Sequence, residues 1–308
     1  MQRDRLKYTA NVIGVSLLLF IFTSAGVRWF LSFLLGQYVT GASFESPTGV
    51  SELIIQGMYF LHTTASLCVP VLFLRKESMR RKQIPIFKRK DADKTLPFIL
   101  VFLGMIPLTS LLGGLFEKAI ASWFAIEEVR RIAFPDSIIA IILLFFYTCV
   151  IPAVFEEVLF RGYIQKKLMP YGAVFAIGVT SALFAFLHAR LYQIPSVFLL
   201  SVALGYISFL QKGIRTSTLL HFINNAFAFI LEYIAWYMNE TAAVAFVAVM
   251  FVIFEFLGIA GLLVLWKKQR TPLHENKRTD RITRAEKMLS APFFTLALVI
   301  ILIAMVMR

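Results

Sequence analysis

The chain has 308 residues, of which 59% are hydrophobic and only 16% are charged, and its formal net charge is +13. Soluble domains are about 45–50% apolar and about 25% charged, so this composition excludes a water-soluble globular protein and indicates an integral membrane protein. The basic residues concentrate in loops between apolar segments, a distribution typical of membrane topology, so no nucleic-acid partner is predicted.

Apolar runs of spanning length follow one another along the whole chain. A helix needs about 20 residues to cross the hydrocarbon core, and several runs are close to that limit, so we predict eight or nine transmembrane helices. The predicted fold class is an all-α, polytopic membrane protein that forms one membrane domain. The runs are 9–35, 53–74, 95–115, 138–168, 173–190, 194–210, 217–237, 242–266 and 291–307.

Two basic linkers separate groups of spans. Residues 75–94 contain nine Lys or Arg and three acids, and residues 267–287 contain eight and three. In contrast, residues 36–52 contain no Lys or Arg. Because basic loops stay on the cytoplasmic side, this asymmetry predicts a cytoplasmic N-terminus.

A charged cluster interrupts the fourth apolar run. Glu156-Glu157-Val158-Leu159-Phe160-Arg161 directly follows the apolar segment 138–155. A single charge in a spanning helix costs about 2.5–3.5 kcal/mol on insertion scales, so such charges usually have a functional or structural partner. Glu157 and Arg161 are four residues apart and are predicted to form an ion pair on one helix face.

Two histidines lie in later apolar runs. If the chain turns back near Tyr171, Glu156 and His188 lie 15 and 17 residues from the turn, so both are about 22–26 Å along their helices. We therefore predict that Glu156 and His188 meet across a helical hairpin. Phe184 and His188 share a helix face, and so do His221 and Asn225.

These residue types indicate hydrolysis. A carboxylate beside an imidazole can position and deprotonate a water molecule, and a second imidazole with an amide can donate hydrogen bonds to an oxyanion. A divalent metal such as zinc is the open alternative, with Glu156, His188 and His221 as its ligands. The chain contains no HExxH motif, so these ligands would have to come from separate helices.

The motifs EExxxR (Glu156, Glu157, Arg161), FxxxH (Phe184, His188) and HxxxN (His221, Asn225), in this order, resemble those of the CPBP family. This family comprises CAAX proteases and bacteriocin-processing or self-immunity proteins, including the type II CAAX prenyl endopeptidases. The resemblance implies a cavity inside the helix bundle. It also implies Glu156 as general base, His188 as a water ligand, Glu157 and Arg161 as support, and His221 with Asn225 as the oxyanion hole.

The resemblance is strongest over residues 138–237, which we assign as the catalytic core between N-terminal spans (1–137) and C-terminal spans (238–308). The expected protein is an intramembrane endopeptidase of the bacterial inner membrane. Its expected partners are membrane lipid and a membrane-associated or lipidated peptide substrate. A non-proteolytic immunity factor or scaffold is the alternative, and a transporter is a third, because intramembrane acids also serve proton relays.

Overall fold

Helices form every regular element in the part of the chain that the structure describes. The computed structural model describes residues 2–35, 51–80, 95–121, 134–188, 190–238, 240–266 and 281–306. The helices are α1 (Gln2–Leu35), α2 (Glu52–Arg80), α3 (Thr95–Ala121), α4 (Ile138–Tyr171), α5 (Ala173–Leu187), α6 (Ile194–Gln211), α7 (Arg215–Tyr237), α8 (Glu240–Trp266), α9 (Arg281–Leu289) and α10 (Pro292–Val306).

Seven of these helices are long and apolar enough to span a membrane, and α9 with α10 forms an eighth candidate that bends by 84°. The fifth predicted run, 173–190, corresponds to α5, which is apolar but has only 15 residues. The all-α polytopic fold is therefore confirmed. Because 15 residues rise only about 22 Å, less than the roughly 30 Å hydrocarbon core, α5 is too short to span the bilayer by itself.

Most of both predicted basic linkers lies outside the described residues, which resume at residue 95 after the first linker and at residue 281 within the second. The cytoplasmic position of the N-terminus therefore stays a prediction. The turn between α4 and α5 is described, and Gly172 closes it with a φ of 118°. Side chains rarely adopt this φ, so glycine is required there for a tight hairpin.

Helix α4 lies at the centre of the bundle and contacts α2, α5 and α7. It is interrupted by two π-helical segments, Phe146–Val150 and Val158–Gln165. Short π segments occur frequently at functional sites, because they change which face of a helix successive side chains occupy. The second segment begins directly after Glu157 and contains Arg161, so the charged cluster lies at a break in the α-helical register.

Helices α3 and α8 approach each other closely at two glycines. A Cβ atom built on Gly104 would lie 2.6 Å from the Cα of Gly258, and one built on Gly258 would lie 2.7 Å from the Cα of Gly104. Small residues at helix crossings allow backbone contact in membrane proteins, where packing rather than water exclusion drives association. This crossing holds α3 and α8 together beside the rest of the bundle.

We expect Gly104→Ala to lower stability by about 1–3 kcal/mol, because the added methyl group meets backbone atoms that cannot rotate away. Gly114→Ala in the same helix is the matched control, since nothing lies within 4 Å of its Cβ position. The measurement is the fraction of protein that stays folded in detergent after heating. Equal thermal stability of the two variants would contradict this account of the crossing.

Candidate active site

Glu157 and Arg161 form the predicted ion pair within α4. Glu157 Oε1 lies 2.7 Å from Arg161 NH1, and both side chains are completely buried. Breaking a buried pair by removing one partner leaves an uncompensated charge, which is strongly destabilising. The pair therefore accounts for how two of the three charges in the cluster are accommodated inside the protein.

Two neighbouring helices complete the surroundings of Arg161. Its NH2 group donates to the hydroxyl of Ser201 in α6 at 2.7 Å and lies 3.3 Å from the Ser201 carbonyl oxygen. From α5, the ring of Phe184 lies under the guanidinium, with its centroid 4.5 Å from Cζ. A guanidinium over an aromatic face is attracted by the ring quadrupole, so α5 contributes to holding the cation.

Ser201 is a site residue that the sequence analysis missed. It lies four residues before Gly205, whose carbonyl oxygen accepts a hydrogen bond from Gln165 at 2.9 Å. Two small residues at this spacing let α6 approach α4 closely, so that Arg161 and Gln165 both reach it. This pair of small residues in α6 is the signal that could have identified the contact.

His221 of α7 lies between the two glutamates. Its Nδ1 is 3.1 Å from Glu157 Oε1, and its Nε2 is 3.8 Å from Glu156 Oε2. A carboxylate can only accept a hydrogen bond, so Nδ1 is the donor to Glu157. Neutral His221 then presents a lone pair at Nε2, and only the imidazolium presents an N–H there.

Glu156 differs from Glu157 in its access to open space. Its side chain is 21% exposed, whereas that of Glu157 is fully buried. Glu156 lines a cavity of about 100 Å³ together with Phe20, Leu67, Leu159, Phe160, Phe184, Leu187 and His188. Of the two adjacent carboxylates, only Glu156 is therefore placed to meet a substrate or a water molecule.

His188 follows the last residue of α5 and lies on the same cavity as Glu156. Its Nδ1 donates to the carbonyl oxygen of Phe184 at 2.9 Å, and the two rings pack with centroids 4.9 Å apart. The expected packing of Phe184 beside this imidazole is confirmed. The structure places Glu156 and His188 on one cavity wall, although no hydrogen bond joins these two described side chains.

Asn225 lies one helical turn beyond His221 in α7. Its amide donates to the carbonyl oxygen of Thr148 in α4 at 3.4 Å, and its own oxygen accepts from Asn224 at 3.4 Å. It does not line the cavity that contains Glu156. Of the six predicted catalytic residues, only Glu156 and His188 line this cavity, and Asn225 lies one helical turn beyond His221.

The metal alternative required Glu156, His188 and His221 to converge as ligands. Among the residues that the structure describes, no group of three or more His, Cys, Asp or Glu side chains has a geometry that could hold a metal ion. His221 instead directs its nitrogens toward the two glutamates, and Nδ1 of His188 is occupied by a backbone carbonyl. This arrangement does not assemble the three-ligand set.

Comparison with known proteins gives one match. Residues 137–227, less than a third of the chain, match the family model described as "Type II CAAX prenyl endopeptidase Rce1-like". This range contains all six predicted catalytic residues. Searches of curated proteins and of solved structures gave no match.

Proposed function

Since residues 137–227 match the family model described as "Type II CAAX prenyl endopeptidase Rce1-like", we propose that this protein is an intramembrane endopeptidase that hydrolyses a peptide bond with an activated water molecule. One observation carries the proposal. Glu156 is a partly exposed carboxylate on a cavity wall, beside a second carboxylate that is fully buried and paired with Arg161.

Glu156 is the general base in this proposal. A base must lie within reach of the proton that it abstracts, and Glu156 is the carboxylate that faces the cavity. His188 lies on the same wall, with Nδ1 donating to Phe184, so a neutral imidazole leaves Nε2 free to accept a hydrogen bond. These two groups can together orient a water molecule and take a proton from it.

His221 acts on the charge that develops at the substrate carbonyl. Glu157 accepts the Nδ1–H of His221 and fixes the ring, as a buried carboxylate does in hydrolytic triads. We assign the imidazolium form to the step in which the oxyanion forms, because only this form presents an N–H at Nε2, on the side of Glu156. With His221 charged, the two glutamates are balanced by two cations, Arg161 and His221.

The substrate class follows from the position of the site. The cavity lies inside a bundle with seven candidate spans, so the substrate must reach it from within or beside the membrane. We propose a membrane-associated or lipidated peptide or protein as the substrate, and the bacterial inner membrane as the location. In this proposal, residues of this chain activate the water molecule and stabilise the oxyanion.

The proposal is tested with purified protein reconstituted in lipid and a set of peptides anchored to the same vesicles. Mass spectrometry of the products is expected to show cleavage at a defined bond with addition of one water. The reference is the double variant Glu156→Ala/His188→Ala, which should reach normal levels in the membrane and release no product. If cleavage is equal with the wild type and this variant, the hydrolysis has another source and the protein acts as a scaffold or immunity factor.

A further inference from the structure

Helix α4 carries a proline shortly before its charged cluster. Pro152 has no backbone N–H, so the carbonyl oxygen four residues earlier has no α-helical donor. This oxygen belongs to Thr148, which lies in the π-helical segment Phe146–Val150. Prolines are tolerated in membrane helices because a neighbouring group supplies a donor to the carbonyl that the proline leaves free. A donor from outside α4 is therefore expected at Thr148.

The side chain of Asn225 in α7 is such a donor. Its Nδ2 lies 3.4 Å from the carbonyl oxygen of Thr148, and its Oδ1 accepts a hydrogen bond from Asn224 at 3.4 Å. The contact with Asn224 thus directs the NH2 group of Asn225 toward α4. Thr148 and Asn225 both lie within candidate spans, where lipid offers no hydrogen-bond donor in their place.

The same face of α7 carries His221, four residues before Asn225. His221 contacts Glu157 and Glu156 at 3.1 Å and 3.8 Å. Thr148 precedes the glutamates in α4, whereas Asn225 follows His221 in α7, so the two helices run antiparallel. They meet at two points on one face, and the contact at Thr148 fixes the rotation and the depth of α7 that bring His221 to the glutamates.

We propose that Asn225 is a positioning residue. Its amide replaces the N–H that Pro152 lacks, holds α7 against α4 and so keeps His221 beside the two glutamates. This inference rests on the proposed function and gives Asn225 a role in it without contact to the substrate. The position of Asn225 agrees with this role, because it pairs with the backbone of α4 and does not line the cavity that contains Glu156.

The opposing role is direct donation to the oxyanion, which the resemblance to the CPBP family implies for Asn225. The two roles differ in their dependence on Pro152. A donor to the oxyanion contributes the same amount whether or not residue 152 has an N–H. A donor to the carbonyl oxygen of Thr148 becomes less important once residue 152 supplies an N–H of its own.

The first experiment measures stability and needs no substrate. The loss of folded protein that Asn225→Ala causes on heating in detergent is measured in the wild type, in Pro152→Ala and in Pro107→Ala. We expect this loss to shrink by at least about half in Pro152→Ala, since residue 152 then offers an N–H to Thr148. Pro107→Ala is the matched control, because Pro107 lies inside α3 and frees a different carbonyl oxygen. Equal losses in the three backgrounds would contradict the proposal.

Asn225→Leu keeps the test decisive if Pro152→Ala does not fold. Leucine has nearly the volume of asparagine but no N–H, so it cannot donate to Thr148. We expect this variant to be at least as unstable as Asn225→Ala. Wild-type stability of both variants would overturn the inference, because a residue that serves only the oxyanion is not needed for the fold of the free protein.

The second experiment measures cleavage by the same variants in lipid vesicles. Asn225→Ala is expected to lower kcat by about tenfold to a hundredfold and to leave KM within about twofold, because His221 is displaced and substrate contacts are not. This loss should fall to about threefold or less in Pro152→Ala and stay complete in Pro107→Ala. An equal loss of kcat in all three backgrounds would assign Asn225 to the oxyanion and overturn the inference. Absence of cleavage by the wild type would count against the proposed function, and the stability experiment would still decide the contact with Thr148.

Discussion

Replacing Glu156 with glutamine is expected to lower kcat/KM for a cleaved peptide by about 10²- to 10⁴-fold, the usual contribution of a general base. The amide has almost the shape of the carboxylate but cannot take a proton from water. Because Glu156 lies on a cavity wall and has no short contact to Arg161, the variant should keep its fold. The measurement is initial rate against substrate concentration for wild type and variant in the same vesicles.

Glu232→Gln is the matched control for this prediction. Glu232 is also a carboxylate within a candidate span, but it lies eleven residues beyond His221 in α7, which is about 16 Å along the helix. Its replacement should leave kcat/KM within a factor of two of the wild type. If Glu156→Gln retains wild-type turnover while Glu232→Gln also does, Glu156 is not the base.

Arg161→Met should be the most destabilising substitution at the site, with an expected loss of about 3–5 kcal/mol. The substitution removes the cation that is 2.7 Å from Glu157 Oε1 and leaves a fully buried carboxylate without its counterion. It also removes the hydrogen bond from α4 to the Ser201 hydroxyl. The measurement is the detergent or denaturant midpoint of unfolding of purified protein.

The double variant Glu157→Gln/Arg161→Met distinguishes two causes of the stability loss in Arg161→Met, the unpaired charge of Glu157 and the lost packing of the arginine side chain. Replacing both members of a buried pair is often neutral, so the double variant should regain most of the stability that Arg161→Met loses. It should remain slow in cleavage, because His221 no longer has a carboxylate to fix its ring. If the double variant is as unstable as Arg161→Met, packing of the long side chain, and not the unpaired charge, accounts for the loss.

Much of the architecture could be predicted from local sequence patterns. Apolar runs give spanning helices because backbone groups in lipid must be satisfied within one segment, and this dictates an all-α fold. The contact between Glu157 and Arg161 could also be predicted, since residues four apart are neighbours on any helix. The packing of Phe184 on His188 follows from the same spacing. These features depend on distances along one helix only.

Contacts between helices were harder to predict, because they depend on relative depth. His221 lies only about six residues past the turn before α7, whereas Glu156 lies 15 residues before the turn after α4, yet His221 contacts both glutamates. Helix α4 has 34 residues, or about 50 Å, which exceeds the roughly 30 Å hydrocarbon core. The turn after α4 and the turn before α7 therefore need not lie at the same depth in the membrane.

The roles of single polar residues in apolar helices also could not be predicted from sequence patterns. Ser201 is one serine among apolar neighbours in α6, and its importance becomes visible only when Arg161 is seen to donate to it. Arg28 has no motif near it, and its place on the wall of a cavity between α1, α5 and α10 depends on how α1 packs against α10. A sequence pattern identifies the polar residues, but it does not show which cavity or neighbouring helix their side chains contact.

The pairing of Glu157 with Arg161 inside one helix also bears on how the chain enters the bilayer during synthesis. Both charges lie on one helical turn, so their pairing needs only that α4 forms and requires no contact from a later helix. Glu156 has no such partner on its own helical turn, and its neighbour His221 lies 65 residues further along the chain. The residue that we assign to chemistry is thus the last of the cluster to acquire its surroundings, and α4 reaches its final environment only when α7 has been inserted.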